Sequence, residues 1–383
     1  MGDYYCENKV SSSADKLFDE MLESENGNNS PSKDGKGRLL WKKVKYELAE
    51  YHSLPAFMRD NEYIHRYYRA GWPMKQVLLS IFTIHNETLN VWTHLIGFFL
   101  FLFLTIYTAT RIPKVVDLIS LQQLPSELVK CMPSLPDMAG WNVIDFLSNC
   151  LPKQLRSSQS LDTLGQSEKD EMINMIAPLI RGPITRWPFF AFLGGAMFCL
   201  LASSTCHLLS CHSKRVSYYM LRLDYAGIAA LISTSFYPPV YYSFMCTPFI
   251  CNFYLFAITL MGIATIIFSL SPVFDQPKFR TVRACLFFGM GISGVAPILH
   301  KLIVYRHQPE AVETTGYEIL MGVLYGVGAL IYATRIPERW KPGRFDIAGH
   351  SHQLFHVLVV AAAYTHYQAG LIYLKWRDSK GCV

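Results

Sequence analysis

The sequence predicts an all-α membrane protein of seven spanning helices, with a cytoplasmic N-terminus and an extracellular or lumenal C-terminus. Three observations predict it. Charge is scarce: of 383 residues, 51% are hydrophobic and only 17% charged, where a soluble domain carries about 25% charged. The apolar residues come in blocks of membrane length. Tyr225–Phe274 runs fifty residues without Asp, Glu, Lys or Arg, and Ile347–Leu374 runs twenty-eight, against the roughly 20 that a spanning helix needs. Finally, Lys and Arg gather in alternate connections between the blocks. This excludes a soluble enzyme, a disordered protein and a collagen-like chain. The implied partner is the lipid bilayer of the plasma membrane or an endomembrane, with no nucleic acid.

The elements follow in order. Residues 1–40 are polar and read as a disordered cytosolic arm. No signal peptide is expected, since the first apolar run begins near residue 89. Met1-Gly2 is followed by Cys6 where a myristoylation site needs Ser or Thr, so no lipid is expected there. Residues 41–82 mix aromatics and charges and read as a cytosolic, membrane-proximal helical segment. Leu54-Pro55 resembles a helix start, and Phe57, Tyr63, Ile64 and Tyr67 can form one apolar stripe. The transmembrane domain covers 83–375, with a polar, non-cytoplasmic insert at 112–186 in which stretches such as Leu161–Ile180 can form helices. Residues 376–383 are a short tail.

The seven segments are Leu89–Thr110, Pro188–Ser210, Leu223–Tyr242, Ile250–Leu270, Ala284–Val304, Tyr317–Thr334 and Gln353–Tyr373, with Pro238-Pro239 and Pro248 marking the turn between the third and fourth. Orientation comes from the basic residues of short loops. Lys214, Arg215 and Arg222 lie in the 2–3 loop, Lys278, Arg280 and Arg283 in the 4–5 loop, and Arg335, Arg339, Lys341 and Arg344 in the 6–7 loop. The opposite side has only Lys301 and Arg306, beside Glu310 and Glu313, although Lys375, Arg377 and Lys380 in the tail argue the other way. This topology keeps the sequon Asn86-Glu87-Thr88 inside, away from glycosylation. Among ten cysteines, Cys199, Cys206 and Cys251 fall in apolar blocks and read as core, while Cys131, Cys150, Cys246 and Cys382 lie in or near loops without an assignable pairing.

Ionisable groups inside spanning helices are costly and point to function. His207 ends the second segment, Asp224 opens the third, and His352 and His356 open the seventh. The topology puts all four at one depth, just inside the cytoplasmic leaflet. His352 and His356 are four apart and share a helix face. That spacing suits two ligands of one metal ion, and a third His from another helix, with water or a carboxylate, gives the pattern of catalytic zinc. Ser203 is four residues before His207, so its hydroxyl is expected to face the metal. The plain alternative is packing and hydrogen bonding by the histidines, with Asp224 as a helix cap. Glu87, Asn90 and His94 make a second polar row, readable as a cap plus interhelical hydrogen bonds.

At these residues the chain resembles the progestin and adipoQ receptor family, which includes the adiponectin receptors. The matching stretches are LPAFMRDNEYIHRYYR, IFTIHNETLNVWTHLIG, SSTCHLLSCHS, LDYAGIA and RFDIAGHSHQLFHVLVVAAAYTHY, within about residues 47–110 and 187–373. The 112–186 insert departs from the animal receptors and looks like the plant branch of heptahelical proteins. The resemblance implies seven helices with the N-terminus inside. It implies zinc held by His207, His352 and His356, with Asp224 beside the water at the metal. It also implies ceramide hydrolysis and, in plants, links to stress-hormone, osmotic, cold and sugar responses.

The expected function is therefore a Zn2+-containing membrane receptor with ceramide or fatty-acyl lipid amide hydrolase activity. Asp224 is the expected base and Ser203 orients the water or steadies the oxyanion. Signalling partners are expected at the cytoplasmic face. The alternative is a non-catalytic signal receptor with structural zinc. A G-protein-coupled receptor is disfavoured by the missing D-R-Y and N-P-x-x-Y motifs and the inside N-terminus. A transporter is disfavoured because no charged group or broken helix is expected at the midplane.

Overall fold

The structure, a computed structural model, describes residues 47–111, 184–271 and 280–382. The expected arm, most of the 112–186 insert, Cys131, Cys150 and Lys278 lie outside these residues. Among the described residues every regular element is helical, with a lone antiparallel bridge between Ala49 and Tyr68. The helices are α1 (Met74–Leu79), α2 (Thr88–Arg111), α3 (Trp187–Leu209), α4 (Lys214–Ser235), α5 (Tyr237–Phe244), α6 (Pro248–Leu270), α7 (Arg280–Ser293), α8 (Val295–Val304), α9 (Pro309–Thr334) and α10 (Ser351–Lys380).

Among the described residues, six stretches are long and apolar enough to cross a membrane: Thr88–Thr110, Trp187–Leu209, Pro248–Leu270, Cys285–Val304, Pro309–Thr334 and Ser351–Lys380. The remaining segment, Leu223–Tyr242, is helical but divided between α4 and α5. α4 opens on KRVSYYMLRLD, and these charges lower its hydropathy. Pro238 and Pro239 do not form the expected turn. They sit in the first turn of α5, where a missing N–H costs nothing. The chain turns after Phe244 instead, and Pro248 starts α6.

The chain divides into two compact units. One comprises the chain up to Leu95, Leu201–Asp224 and Tyr325–Val359. Here the residues after Leu54 differ from the expected stripe. Two 3-10 turns, Tyr51–Ser53 and Ala56–Met58, replace a helix. Tyr67 is exposed at a positive φ of 70°, while Leu54, Ile64 and Tyr68 form a small buried core. Long-range bonds tie this segment to the chain after α9. Gly343 N–H donates to the Tyr63 carbonyl at 2.9 Å, His65 N–H to Asp346 at 2.9 Å, and Arg335 pairs with Glu62 and donates to the Asp60 carbonyl. The buried Arg69 donates to Ser80 and to the His207 carbonyl, the latter at 2.9 Å. It thus satisfies a carbonyl that α3 leaves open at its C-terminus.

The other unit comprises Ile96–Leu200, Tyr225–Leu324 and Val360–Val383. Several residues read as loop charges prove structural here. Lys301 lies inside α8, fully buried, and pairs with Glu318 of α9 at 2.7 Å. With that charge neutralised, α9 starts at Pro309, eight residues before the expected Tyr317. Arg377 is buried and donates to the Tyr242 and Ser243 carbonyls at the end of α5, the latter at 2.8 Å. Lys380 pairs with Glu310 at 2.9 Å. Cys246 and Cys382 form a disulfide that joins the α5–α6 connection to the tail.

Candidate metal centre

His207, Asp224, His352, His356 and Ser203 all fall within the first unit. His207 lies in the last turn of α3, and His352 and His356 in the opening turns of α10. α10 begins at Ser351 because the buried Glu338 accepts its N–H at 2.7 Å and also its hydroxyl. A carboxylate at a helix N-terminus is favourable, since it meets an unpaired N–H and the positive end of the dipole. This cap fixes where the i, i+4 pair sits.

The three imidazoles form a nearly equilateral triangle. Ring centroids are 4.7 Å apart for His207–His352, 4.9 Å for His207–His356 and 4.7 Å for His352–His356, each pair edge to face. One ligand atom from each lies within 4.8 Å of the others. The outer nitrogens are held from behind. His207 Nδ1 hydrogen-bonds Glu87 at 2.8 Å, and His356 Nδ1 donates to the Asn90 carbonyl at 3.2 Å. Each bond leaves Nε2 as the free ligand atom, and His207 Nε2 is buried without a partner. Bonds of about 2.1 Å from three nitrogens to zinc require each ring to move by less than about 1 Å. The donor set therefore fits Zn2+.

The row Glu87, Asn90 and His94 proves part of the centre. Glu87 also accepts from Asn90 at 2.5 Å, and His94 stacks on His356 with centroids 3.6 Å apart. Spacing alone left this row as a cap plus interhelical hydrogen bonds, and the Glu87–His207 bond is of that second kind. Its signal was three polar groups at i, i+3 and i+7 on a helix that is otherwise apolar. His85, just outside the membrane span, is pushed down to about 4 by burial and by the Arg69 charge. It is therefore neutral, and its Nδ1 accepts the Glu87 N–H at 3.1 Å, holding that carboxylate's backbone. We expect Glu87→Gln to weaken zinc binding about 10–100-fold, with the helix content unchanged. Metal titration monitored by equilibrium dialysis checks it.

Asp224 and Ser203 come together at the same centre. Ser203 is buried on the turn of α3 before His207, and its hydroxyl acts electrostatically on the Asp224 carboxylate. His207 is the charge partner nearest in effect to Asp224. His350 stands apart: it is buried, and its Nε2 contacts the Asn86 carbonyl at 3.4 Å. The arrangement offers three imidazole nitrogens that could hold one ion, with the Asp224 carboxylate within electrostatic reach of His207.

Comparison with known proteins gives these residues a family setting. The Haemolysin-III related family matches residues 82–367. Heptahelical transmembrane protein 4 of Arabidopsis thaliana is 70% identical over 361 residues, 91% of this chain and 93% of the relative. Heptahelical transmembrane protein ADIPOR3 of Oryza sativa is 62% identical, covering 92% of this chain and 96% of the relative. The adiponectin receptor protein of Drosophila melanogaster is 34% identical over 86% of this chain and 60% of its own length. The resemblance read from the motifs holds.

Proposed function

The chain belongs to the haemolysin-III-related family of multi-pass membrane proteins, and from that premise we propose a zinc-dependent lipid amide hydrolase within a heptahelical, adiponectin-receptor-like protein. Ceramide is the substrate class that fits. The observation that carries this reading is the triangle of His207, His352 and His356 with Asp224 beside it. A structural zinc site is normally closed by four protein ligands, whereas three leave a position for chemistry.

Zinc held by the three imidazoles would supply a Lewis acid for an amide carbonyl and lower the pKa of water at that position. The chain's own residues do the rest. Asp224 accepts a proton from the attacking water as the new C–O bond forms. Ser203 keeps that carboxylate turned toward the water. Asp224 then gives the proton to the amine nitrogen as the C–N bond breaks, so fatty acid and free amine leave. In keeping with the resemblance read from the motifs, the product is proposed to feed stress-hormone, osmotic, cold or sugar signalling through partners at the cytoplasmic face.

The test is metal content of the purified protein together with hydrolysis of a ceramide panel. About one zinc per chain and release of fatty acid are expected. Zinc without hydrolysis leaves the non-catalytic receptor, and no zinc under metal-replete conditions overturns both.

The orientation has support of its own. Counted by the same rule on both sides, Lys301 lies in α8 and Lys214, Arg215, Arg222, Arg280 and Arg283 lie in α4 and α7, so the support rests on Arg335, Arg339, Lys341 and Arg344 between α9 and α10 against Arg306 between α8 and α9. Disulfides persist in oxidising compartments, so the Cys246–Cys382 pair supports a non-cytosolic position for that end of the chain. In sealed vesicles of known orientation, an impermeant maleimide applied after reduction should label Cys246 and Cys382 from the non-cytoplasmic side, while an N-terminal tag stays protected there. Cleavage of the tag from that side would falsify the orientation.

A further inference from the structure

The second unit contains a cavity of about 220 Å3. Most of its wall is apolar, with Phe236, Val240, Ile298 and Met321 among the lining residues. Its polar lining comprises the hydroxyls of Ser235 and Ser243, the Lys301, Glu318 and Tyr373 groups, and His366. Lys301, Glu318 and Tyr373 line it as a closed network. Lys301 Nζ donates to Glu318 at 2.7 Å, to Thr314 at 3.0 Å and to Tyr373 at 2.7 Å, and the Tyr373 hydroxyl donates to the other Glu318 oxygen at 2.7 Å. This network is neutral as a whole and its ammonium protons are all used.

His366 is a further polar group. It lines the cavity, is 2% exposed, and neither ring nitrogen has a hydrogen-bond partner. The Ser235 backbone lies beside it without closing a good bond, and Phe192 packs edge-on at 4.6 Å between centroids. A buried imidazole left unmatched is costly. Neutral, it offers one donor and one acceptor.

We propose that this cavity binds a neutral, largely apolar molecule carrying one hydroxyl, seated with that hydroxyl on His366. A hydroxyl both donates and accepts, which matches the imidazole. A hydrocarbon would leave His366 unmatched. A carboxylate would face Glu318 and an amine would face Lys301, each already paired. Size follows from the volume: a 150 Å3 cavity takes benzene, so one of this size takes about nine heavy atoms, as in 1-octanol.

The test uses the full chain in lipid nanodiscs, a diazirine-bearing octanol as photoprobe, and peptide mapping by mass spectrometry. Labelling is expected on cavity residues, competed by 1-octanol and about tenfold less well by octane, since one hydrogen bond is worth roughly that factor. His366→Phe should erase the difference between the two competitors. Gly322 lines the cavity and has open space where a side chain would go, so Gly322→Leu should fold normally and abolish the labelling. Equal competition by octane in the wild type, labelling confined to lipid-facing residues, or labelling retained in folded Gly322→Leu overturns the proposal. So does labelling that disappears in His207→Ala, because the alcohol would then belong to the metal centre. Labelling that persists in His207→Ala supports this site whatever becomes of the hydrolase reading.

Discussion

Asp224→Asn should give a folded, zinc-loaded protein whose ceramide hydrolysis falls about 10²–10⁴-fold, the usual loss when a positioned general base is removed. The substitution keeps the size of the side chain and its ability to accept from Ser203. It leaves the three imidazoles untouched, so metal stoichiometry should match the wild type. Rate and metal content must be measured on the same sample. A rate equal to wild type on both long- and short-chain ceramides sinks the assignment of Asp224 as base. Zinc lost together with rate would instead make the carboxylate a part of the metal site.

His207→Ala should remove bound zinc almost completely, because two remaining imidazoles hold the ion far more weakly than three. His352→Ala should do the same. The fold should survive the His207 change, since Arg69 holds the backbone carbonyl of that residue and not its ring. The informative control is His350→Ala, two residues from His352 and engaged with the Asn86 carbonyl. It should keep its zinc. Metal analysis by mass spectrometry on detergent-purified variants decides it: equal loss from His350→Ala and His352→Ala would show the ligands to be misassigned.

Much of this was legible in the sequence. Membrane-length apolar blocks need no tertiary information, so six of the seven segments could be placed within a few residues, apart from the starts and ends that charges obscured. The i, i+4 pair His352 and His356 was legible because helix periodicity alone puts them on one face. Glu87 was visible but its purpose was not, since its partner His207 is 120 positions away. Lys301 misled for the same reason: a basic residue near a segment end reads as a loop charge until Glu318 is found beside it. The Cys246–Cys382 link spans 136 positions, and spacing gives no pairing at that distance. The 47–68 stretch was misread as a helix because its apolar residues serve a small core, fixed by bonds to the Asp346 carboxylate and the Gly343 N–H rather than by helical periodicity.

The Arg69 contact has a mechanical side. Its guanidinium grips the peptide oxygen of a metal ligand, while its backbone directly follows Tyr68, which is bonded to Ala49 in both directions. A force applied to the segment at Ala49 therefore reaches His207 through a few stiff bonds, with no flexible linker between. Half an ångström of slack there is enough to unseat a nitrogen from an ion that tolerates only about 0.2 Å. On the zinc reading proposed above, whatever grasps this segment would hold a handle on the metal position through the backbone of His207.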